Sequence, residues 1–514
     1  MKTLPQVTAT AEQLPLISQN RFGVEIICGA AGSGKTSTAL LRLRSLCYMF
    51  AARRARKGDV APVRVLVLTY NRTLAGYVRS LAEHQISDDL EVKLEIETFG
   101  RWAMLALGFP DVANERARAE LARLARSLGA LSPDYIVKEA EYLLGRFEPE
   151  DLEKYITTER TGRGALPRVD RNLRRRILSE VIEPYLAWLD HKSVLDWNSV
   201  AIQMARDVDS IGYDVVIVDE SQDFSANQLR AIRQHLAADH AITFVIDTVQ
   251  RIYARGFTWV EAGYDVRPER VHILRANHRN TVEIATFAAG ILNGIGIEGD
   301  GVLPNLEGAM THGPTPTVLR GRYAEQAAWA IKFIRKHVNL DEDSVAFLKP
   351  QGGNWFGQIR SMLTANVIDF ADITREADWP EGPVNVALST FHSAKGLEFD
   401  YVFIIGFNDE NTLHADAEVD DEVFVLRRLL AVAVARARKA VIVGYKNPDL
   451  SSISLPTRSF RSTYDHRRSY RGPWNRRIAA FYHKSWDSGH SGKSCSSLPT
   501  SASPGKIFGA CSSR

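Results

Sequence analysis

The sequence predicts an α/β fold with two domains, each a parallel sheet flanked by helices, and a helical insertion in the first domain. Short apolar runs recur with helical segments between them, and runs that are apolar on both faces are typical of buried strands in parallel sheets. These runs are VEIIC (24–28), VRVLVLT (63–69), DVVIVD (214–219), ITFVID (242–247), SVAFL (344–348), VNVALST (384–390) and YVFIIG (401–406). The alternation of strands with helices indicates the α/β class, and the runs fall into two groups, before and after about residue 270.

Changes of pattern along the chain predict the domain boundaries. Between the second and third runs, about 105–205, the periodicity is helical, as in NERARAELARLARSLGA. Beyond about 455 the chain is rich in Arg and then in Ser, Gly and Pro, a composition typical of disorder. We expect a first domain at 1–105 and 205–270, a helical insertion at 106–204, a second domain at 271–455 and a solvated, disordered tail at 456–514. A tail whose arginines tether nucleic acid is the alternative.

The composition excludes several classes of protein. A chain of 514 residues is too long for one core, and 45% hydrophobic with 24% charged residues is ordinary for a packed protein, not a disordered or fibrous one. The formal net charge of +3 indicates no particular partner. The sequence has no run of about 18 apolar residues, and its cysteines have no metal-ligand spacing: Cys28, Cys47, Cys495 and Cys511. We expect a cytoplasmic protein without a secretion leader or a membrane segment.

The first apolar run leads into a glycine-rich loop of the phosphate-binding type. GAAGSGKT has the GxxxxGK[ST] spacing and precedes the helix-forming STALLRLRSL, so strand, loop and helix come in the required order. Glycines let backbone N–H groups wrap a phosphate, and the helix N-terminus adds its dipole. Lys35 is expected to hold the β- and γ-phosphates and Thr36 to bind Mg²⁺. The predicted nucleotide-binding residues of this loop are Gly29, Ala30, Ala31, Gly32, Ser33, Gly34, Lys35 and Thr36.

A pair of carboxylates follows the third apolar run. DVVIVDESQDF places Asp219 and Glu220 at the end of a predicted strand. An NTPase site needs one carboxylate to hold the hydration shell of Mg²⁺ and another to activate water. Such a pair is weak evidence alone, but with the glycine-rich loop it predicts a site for a nucleoside triphosphate and Mg²⁺.

Further segments of the chain carry ordered motifs between about residues 13 and 445. They are TAEQLPLI, VLVLTYNRTLAGYV, ETFGRW, DESQD, FVIDTVQRIY, LRANHRNTVEI, STFHSAKGLEFDYV and RRLLAVAVARAR. Together with the glycine-rich loop they resemble the motifs of the UvrD/Rep-like superfamily 1 (SF1A) DNA helicases. The resemblance implies two RecA-like P-loop NTPase domains with an ATP cleft between them. It also implies a DNA-dependent ATPase that moves 3′→5′ along single-stranded DNA and separates strands.

The resemblance also implies roles for individual residues. Gln13 would read adenine, and Glu398 would accept a hydrogen bond from the ribose. Arg279 and Arg436 would reach the γ-phosphate from the second domain, and arginines that enter across a cleft make hydrolysis sensitive to domain closure. Gln250 would couple the γ-phosphate to the DNA track. The predicted catalytic residues are therefore Lys35, Glu220, Gln250, Arg279 and Arg436, and Thr36 and Asp219 are the predicted metal ligands.

The DNA track is expected to use aromatic rings for stacking and hydroxyls or amides for phosphates. The predicted contacts are Tyr70, Asn71, Phe99, Tyr253, Trp259, Thr390 and His392. An aromatic residue beside a strand is as often part of the core, so that alternative stays open for each ring. The arginine-rich segment 160–176 is either solubilising or an electrostatic grip on the nucleic acid.

One departure from the larger relatives concerns the segment 291–386. These residues are needed to build the second domain itself, so the sequence leaves no room for a large 2B subdomain. We expect ATP and Mg²⁺ as cofactors and single-stranded DNA or a junction as partner; RNA is less expected, and a protein partner stays open. One alternative is a helicase-like ATPase that senses or regulates, as in a defence or toxin system, without processive unwinding. Another is a P-loop ATPase that acts on a protein.

Overall fold

Two parallel sheets flanked by helices form the architecture, which confirms the predicted α/β class. The computed structural model describes residues 9–29, 32–70, 72–83, 91–160, 168–247, 257–275, 277, 279–292, 309, 311–350, 355–374, 376, 379–380, 382–407 and 419–445.

The described residues contain fourteen α-helices. They are α1 (Leu14–Ser18), α2 (Lys35–Arg56), α3 (Arg72–Glu83), α4 (Phe99–Ala106), α5 (Asn114–Leu128), α6 (Pro133–Arg146), α7 (Arg171–Ile177), α8 (Glu183–Lys192), α9 (Trp197–Arg206), α10 (Ala226–Gln234), α11 (Val282–Leu292), α12 (Tyr323–His337), α13 (Trp355–Ala365) and α14 (Val419–Val434). None of the helices in this part of the chain is both long and apolar enough to cross a membrane.

The first sheet carries the glycine-rich loop and the carboxylate pair at one edge. Its strands are β1 (Gly23–Gly29), β2 (Val63–Thr69), β3 (Val92–Thr98), β4 (Tyr213–Val218), β5 (Leu236–Asp247) and β6 (Val271–Leu274). They pair in parallel in the order β3-β2-β4-β5-β1-β6. β4 is buried along its length and apolar except for Asp214, as expected of a strand covered by helices on both faces. Because parallel strands end at the same edge, the loop after β1 and the carboxylates after β4 lie near each other, with β5 between their strands.

Two predicted boundaries of the first domain are wrong. Residues 271–274 form β6, which pairs with β1, so they belong to the first sheet and not to the second domain. The insertion was predicted to extend to 204, but Val200 and Met204 of α9 lie in the core of the first domain. Neither segment differs in composition from its surroundings, so the pattern of the sequence did not mark the change of domain.

The helical insertion has a hydrophobic core of its own. This core is built from buried residues between Ala113 and Val194, among them Leu121, Ile136 and Ile177. They come from α5, α6, α7 and α8, with a 3-10 turn at Pro149–Ile156 and a π-helical turn that joins α7 to α8. The 3.6-residue spacing of apolar residues places them on one face of each helix, which explains why this stretch packs as a bundle.

The second sheet contains the strands β7 (Thr317–Arg320), β8 (Val345–Lys349), β9 (Ala371–Asp372), β10 (Val386–Thr390), β11 (Phe399–Ile404) and β12 (Ala437–Tyr445). They pair in parallel in the order β7-β12-β11-β8-β10-β9. Helices α12 and α13 cover this sheet through buried side chains such as Ile331 and Ile359. In the described residues between α11 and β10, every helix and strand belongs to this sheet or packs on it, and no separate helical subdomain is present.

Candidate nucleotide site and aromatic cleft

The glycine-rich loop is shaped by two glycines in left-handed conformations. Gly32 has φ +85° and Gly34, which precedes α2, has φ +76°. A Cβ added to Gly32 would lie 2.7 Å from the Cβ of Arg279 and still closer to Asn277 Oδ1. A Cβ added to Gly34 would collide with Gln13 Nε2. Both positions therefore need glycine for the backbone conformation and for space.

The same loop presents buried donors that suit a phosphate. Ser33 Oγ and Arg279 Nε are buried and have no hydrogen-bond partner among the described residues. Arg279 packs on the loop at Gly32, and Lys35 is the first residue of α2. A buried donor without an acceptor is costly, and the oxygens of a phosphate would satisfy these donors. The residues present thus fit a nucleoside triphosphate.

Gln13 packs against the glycine-rich loop and is hydrogen-bonded to it. It is buried at the start of α1, its Nε2 donates to Ser33 O at 3.2 Å, and its Oε1 accepts from Thr10 N at 3.0 Å. The structure therefore brings Gln13 to the predicted nucleotide site, where its side chain fixes the loop. That it reads adenine stays a prediction.

Thr36, Asp219 and Glu220 form the centre of the site. Thr36 Oγ1 donates to Asp219 Oδ2 at 2.9 Å, and the Glu220 N–H donates to Asp219 Oδ1 at 2.9 Å. Burial and then the neighbouring Glu220 charge raise the pKa of the Asp219 carboxyl. Among the described residues no group of three or more His, Cys, Asp or Glu side chains is close enough together to hold a metal ion without other ligands. One hydroxyl and one carboxylate suit Mg²⁺, which keeps several waters and takes further oxygens from substrate phosphates.

Glu220 is held from two sides. Its backbone has φ +52°, which is uncommon for a residue with a side chain and typical of functional sites. Gln222 Nε2 donates to Glu220 Oε2, and Lys395 Nζ of the second domain lies 3.3 Å from the same oxygen. Lys395 also forms an ion pair with Asp223. The carboxylate that is expected to act on water is therefore already in a network that crosses the domain boundary.

The two predicted arginines differ in their contacts. Arg279 lies at the glycine-rich loop and forms an ion pair with Glu398 of the second domain. The structure thus pairs two residues for which the sequence predicted separate partners, the γ-phosphate and the ribose. Arg436 is 1% exposed and donates to Val432 O at 3.2 Å and Leu397 O at 3.3 Å, both in its own domain. That Arg436 reaches the γ-phosphate stays a prediction.

A cleft of about 790 Å³ lies beside this network, and we call it the aromatic cleft. Three exposed aromatic residues line it: Tyr70 at 45%, Phe109 at 61% and Trp197 at 41% exposure. Arg72 and Arg101 add positive charge, and Asp223 and Ser393 complete the wall nearest the nucleotide site. The ring of Trp197 lies on Gly100, where an added Cβ would come within 3.1 Å of it. Exposed rings beside basic groups are typical of surfaces that bind unpaired bases.

The predicted DNA contacts of the first domain differ in their exposure and packing. Tyr70 lies in the aromatic cleft, but Phe99 is only 4% exposed and packs on Trp102 and Phe224, with ring centroids 5.7 and 6.3 Å apart. Phe99 also lines the aromatic cleft, but its ring packs in the core of the first domain, and that it stacks on a base stays a prediction. The Trp259 ring packs on Phe244, with centroids 4.5 Å apart, so the core takes part of its surface too.

The other predicted contacts lie in the second domain or outside the described residues. Thr390 Oγ1 donates to Ser393 Oγ at 3.1 Å, which fixes the loop after β10. Burial and then the nearby Lys395 charge lower the pKa of His392, so its ring is neutral near pH 7. The predicted residues that lie outside the described residues are Ala30, Ala31, Asn71, Gln250 and Tyr253.

Two arginines of the arginine-rich segment, Arg160 and Arg174, hold the insertion together. Arg160 forms a buried ion pair with Glu139. Arg174 donates to the carbonyls of Tyr155 and Thr158 at 3.0 and 2.7 Å. Arg168, Arg171, Arg175 and Arg176 are exposed, so both interpretations of the arginine-rich segment, solubilising or gripping nucleic acid, stay predictions.

Four residues at the site were not among the predicted ones. Asn277 contacts the glycine-rich loop, Lys395 contacts Glu220, and Phe109 and Trp197 line the aromatic cleft. Asn277 and Lys395 lie inside quoted motifs, LRANHRNTVEI and STFHSAKGLEFDYV, which was an available signal. Phe109 and Trp197 lie outside every motif, and only their place in the fold reveals them.

Comparisons with known proteins agree with this geometry. Residues 10–257 match the family model of the UvrD/REP helicase N-terminal domain and residues 358–448 that of the UvrD-like helicase C-terminal domain, together about two thirds of the chain. The probable DNA helicase of Mycoplasma pneumoniae is 22% identical over 473 residues, which cover 86% of this chain and 83% of that protein. The ATP-dependent DNA helicase Rep of Buchnera aphidicola subsp. Schizaphis graminum is 43% identical over 60 residues, 12% of this chain and 9% of that protein. The chain belongs to the UvrD/Rep-like family of ATP-dependent DNA helicases.

Proposed function

We propose that this enzyme is a cytoplasmic motor that moves 3′→5′ on single-stranded DNA and separates strands as it hydrolyses ATP. The observation that carries the proposal is the contact between two halves of one site. Thr36, Asp219 and Glu220 stand on the first domain. Lys395 of the second domain contacts Glu220, and Arg279 lies against the glycine-rich loop and forms an ion pair with Glu398 of the second domain. Because both domains contribute to one site, each hydrolysis event is coupled to a movement of one domain relative to the other.

The residues of the site have distinct tasks in hydrolysis. Lys35 and the N–H groups of the glycine-rich loop bind phosphate oxygens, and Thr36 and Asp219 hold Mg²⁺. Bound Mg²⁺ supplies positive charge that offsets the charge of the phosphates. Glu220 orients water and accepts its proton, while Arg279 stabilises the charge that develops on the γ-phosphate. Arg436 also stabilises the charge on the γ-phosphate, after its guanidinium gives up its hydrogen bonds to backbone carbonyls and donates to phosphate oxygens instead.

The aromatic cleft supports the single-stranded substrate. Its exposed rings, Tyr70, Phe109 and Trp197, can stack on bases of any sequence, and Arg72 and Arg101 can attract the backbone. A duplex hides its base faces in the helical stack, so rings of this kind favour an unpaired strand or the unpaired arm of a junction. Stacking does not distinguish ribose from deoxyribose, and the DNA preference rests on the family.

The first experiment measures ATP hydrolysis by the full chain with and without single-stranded DNA, beside the Glu220→Gln variant. We expect DNA to stimulate hydrolysis and Glu220→Gln to abolish it. A strand-displacement assay with 3′-tailed and 5′-tailed duplexes follows, and only the 3′-tailed duplex is expected to be unwound. Stimulation without displacement of either duplex would favour a sensor or regulatory ATPase. Hydrolysis that is indifferent to DNA and RNA contradicts the motor and points to a protein substrate.

A further inference from the structure

Lys395 connects the two halves of the nucleotide site through a buried network. Its Nζ lies 3.3 Å from Glu220 Oε2 and forms an ion pair with Asp223, and all three side chains are buried. Lys395 lies on the loop between β10 and β11 of the second domain, whereas the carboxylates follow β4 of the first domain. We call Lys395, Glu220 and Asp223 the carboxylate bridge. Buried opposite charges hold each other firmly, because separating them exposes an uncompensated charge to a poorly polarisable interior.

The carboxylate bridge also touches the aromatic cleft. The Lys395 ammonium lies 5.2 Å from the centroid of the Tyr70 ring, within the range of a cation–π contact. Tyr70 and Asp223 both line the cleft, as does Ser393, two residues before Lys395. Lys395 is thus in contact with the wall of the cleft and with the carboxylate expected to act on water.

The position of Glu220 in this network is unfavourable for catalysis. A general base needs a carboxylate oxygen that can accept a proton from water. In this structure Glu220 Oε2 accepts from Gln222 and lies 3.3 Å from Lys395 Nζ, so protein donors occupy the oxygen that water would have to approach. A strand in the aromatic cleft would bring backbone phosphates close to the Lys395 ammonium, and these compete with Asp223 and Glu220 for it.

We propose that Lys395 is a positioning residue that restrains Glu220 until a nucleic-acid strand occupies the aromatic cleft. Strand phosphates and the altered contact with Tyr70 draw Lys395 away from the carboxylates, and Glu220 is then able to orient water. Lys395 would in this way make hydrolysis depend on the strand. The inference rests on the proposed function, because it assumes that the aromatic cleft binds the strand and that Glu220 is the base.

The test compares Lys395→Met and Lys395→Gln with the wild type, using an oligothymidylate strand as the probe. We expect both variants to hydrolyse ATP faster without the strand, by about fivefold or more, as coupling between sites usually amounts to at least that factor. The stimulation by the strand is expected to fall, while the KM for ATP stays near that of the wild type. Lys395→Arg, which keeps the charge, is expected to restore slow hydrolysis without the strand.

Lys439→Met serves as the matched control. Lys439 also forms an ion pair, with Asp343 of the second domain, but it is half-exposed and contacts no residue of the nucleotide site in the described part of the chain. Thermal unfolding of each variant shows whether it is folded. If Lys395→Met does not fold, Lys395→Gln, which keeps a polar group at this position, still tests the proposal. The proposal is overturned if strand-free hydrolysis does not rise in the folded variants. A wild type that hydrolyses no ATP in either condition refutes the proposed function instead.

Discussion

The nucleotide site and the aromatic cleft solve two recognition problems in opposite ways. Around the glycine-rich loop the polar groups are buried and fixed in place, as Thr36 is by its hydrogen bond to Asp219, and the glycines fit so closely that an added Cβ would collide. In the aromatic cleft the rings of Tyr70, Phe109 and Trp197 are exposed. A phosphate always has the same shape, so a fixed cradle suits it, whereas a strand of changing sequence needs surfaces that accept any base.

This difference predicts how the two regions respond to substitution. In the nucleotide site each atom has one place, so single changes are expected to remove most of the activity. In the aromatic cleft three rings share the contact, so single changes are expected to reduce affinity by limited factors. The following variants test that contrast.

The largest effect is expected for Glu220→Gln. The variant keeps the shape of the side chain but cannot accept a proton, and removal of a general base lowers rates by about 10²–10⁴-fold. Phosphate release with saturating single-stranded DNA measures the loss, and binding of a fluorescent ATP analogue is expected to persist. A rate above a tenth of the wild-type rate would show that another group acts on water.

Gly32→Ala is expected to impair the nucleotide site by shape alone. The new Cβ would collide with Asn277 and Arg279, and φ +85° is itself strained for alanine, at a cost of about 1–3 kcal/mol. Nucleotide affinity is expected to fall more than about tenfold, a loss of about 1.4 kcal/mol. Gly58→Ala is the matched control, since Gly58 has φ +69° but nothing within 4 Å of an added Cβ. Equal nucleotide affinities of the two variants would contradict the claim that the close packing at Gly32 is needed for nucleotide binding.

Trp197→Ala tests the aromatic cleft. Loss of one stacking ring is expected to weaken binding of single-stranded DNA by about 1–3 kcal/mol. The hydrolysis rate at saturating DNA is expected to stay near that of the wild type, because the Trp197 ring lies in the aromatic cleft, where it packs on Gly100. Fluorescence anisotropy with a labelled oligonucleotide measures the affinity. Tyr48→Ala, which removes an exposed ring on α2, is the control; an equal loss in both variants would remove Trp197 from the strand contact.

Phe99→Leu is expected to have the smallest effect and to separate core from cleft. The ring is buried against Trp102 and Phe224, so its replacement lowers the free energy of unfolding by about 1 kcal/mol. Affinity for DNA is expected to be unchanged, in contrast to Trp197→Ala. Denaturant unfolding and the same anisotropy assay check both halves of the prediction, and a selective loss of DNA affinity would support Phe99 as a strand contact.

The strands that the sequence predicted are those buried on both faces. β3 was missed because VKLEIET alternates charged with apolar residues at the edge of the sheet, and β6 and β7 have only four residues each. β12 was missed for another reason. It follows α14 after a break of two residues, so the apolar pattern of LLAVAVARARKAVIVGY runs on without a mark where helix becomes strand.

Some residues of the candidate site could also be predicted from the sequence, and others could not. Thr36 and Asp219 could be predicted because each follows a strand within a short motif, and parallel strands bring their ends together. Trp197 could not be predicted, since its neighbour Gly100 lies almost a hundred residues earlier and the insertion separates them. Lys395 stood inside a quoted motif, but its contact with Glu220 depends on the packing of one domain against the other.

The strand order of the first sheet constrains how the chain acquires its fold. β1 lies between β5 and β6, so it has no neighbour in the sheet until residues beyond Leu236 have left the ribosome. The insertion needs no such delay, because its core closes among residues 113–194. Contacts between distant segments form slowly, and units with local contacts form early. We therefore expect the insertion to fold during synthesis. The glycine-rich loop is expected to become ordered later, because β1 stays unpaired until more than two hundred further residues have been synthesised.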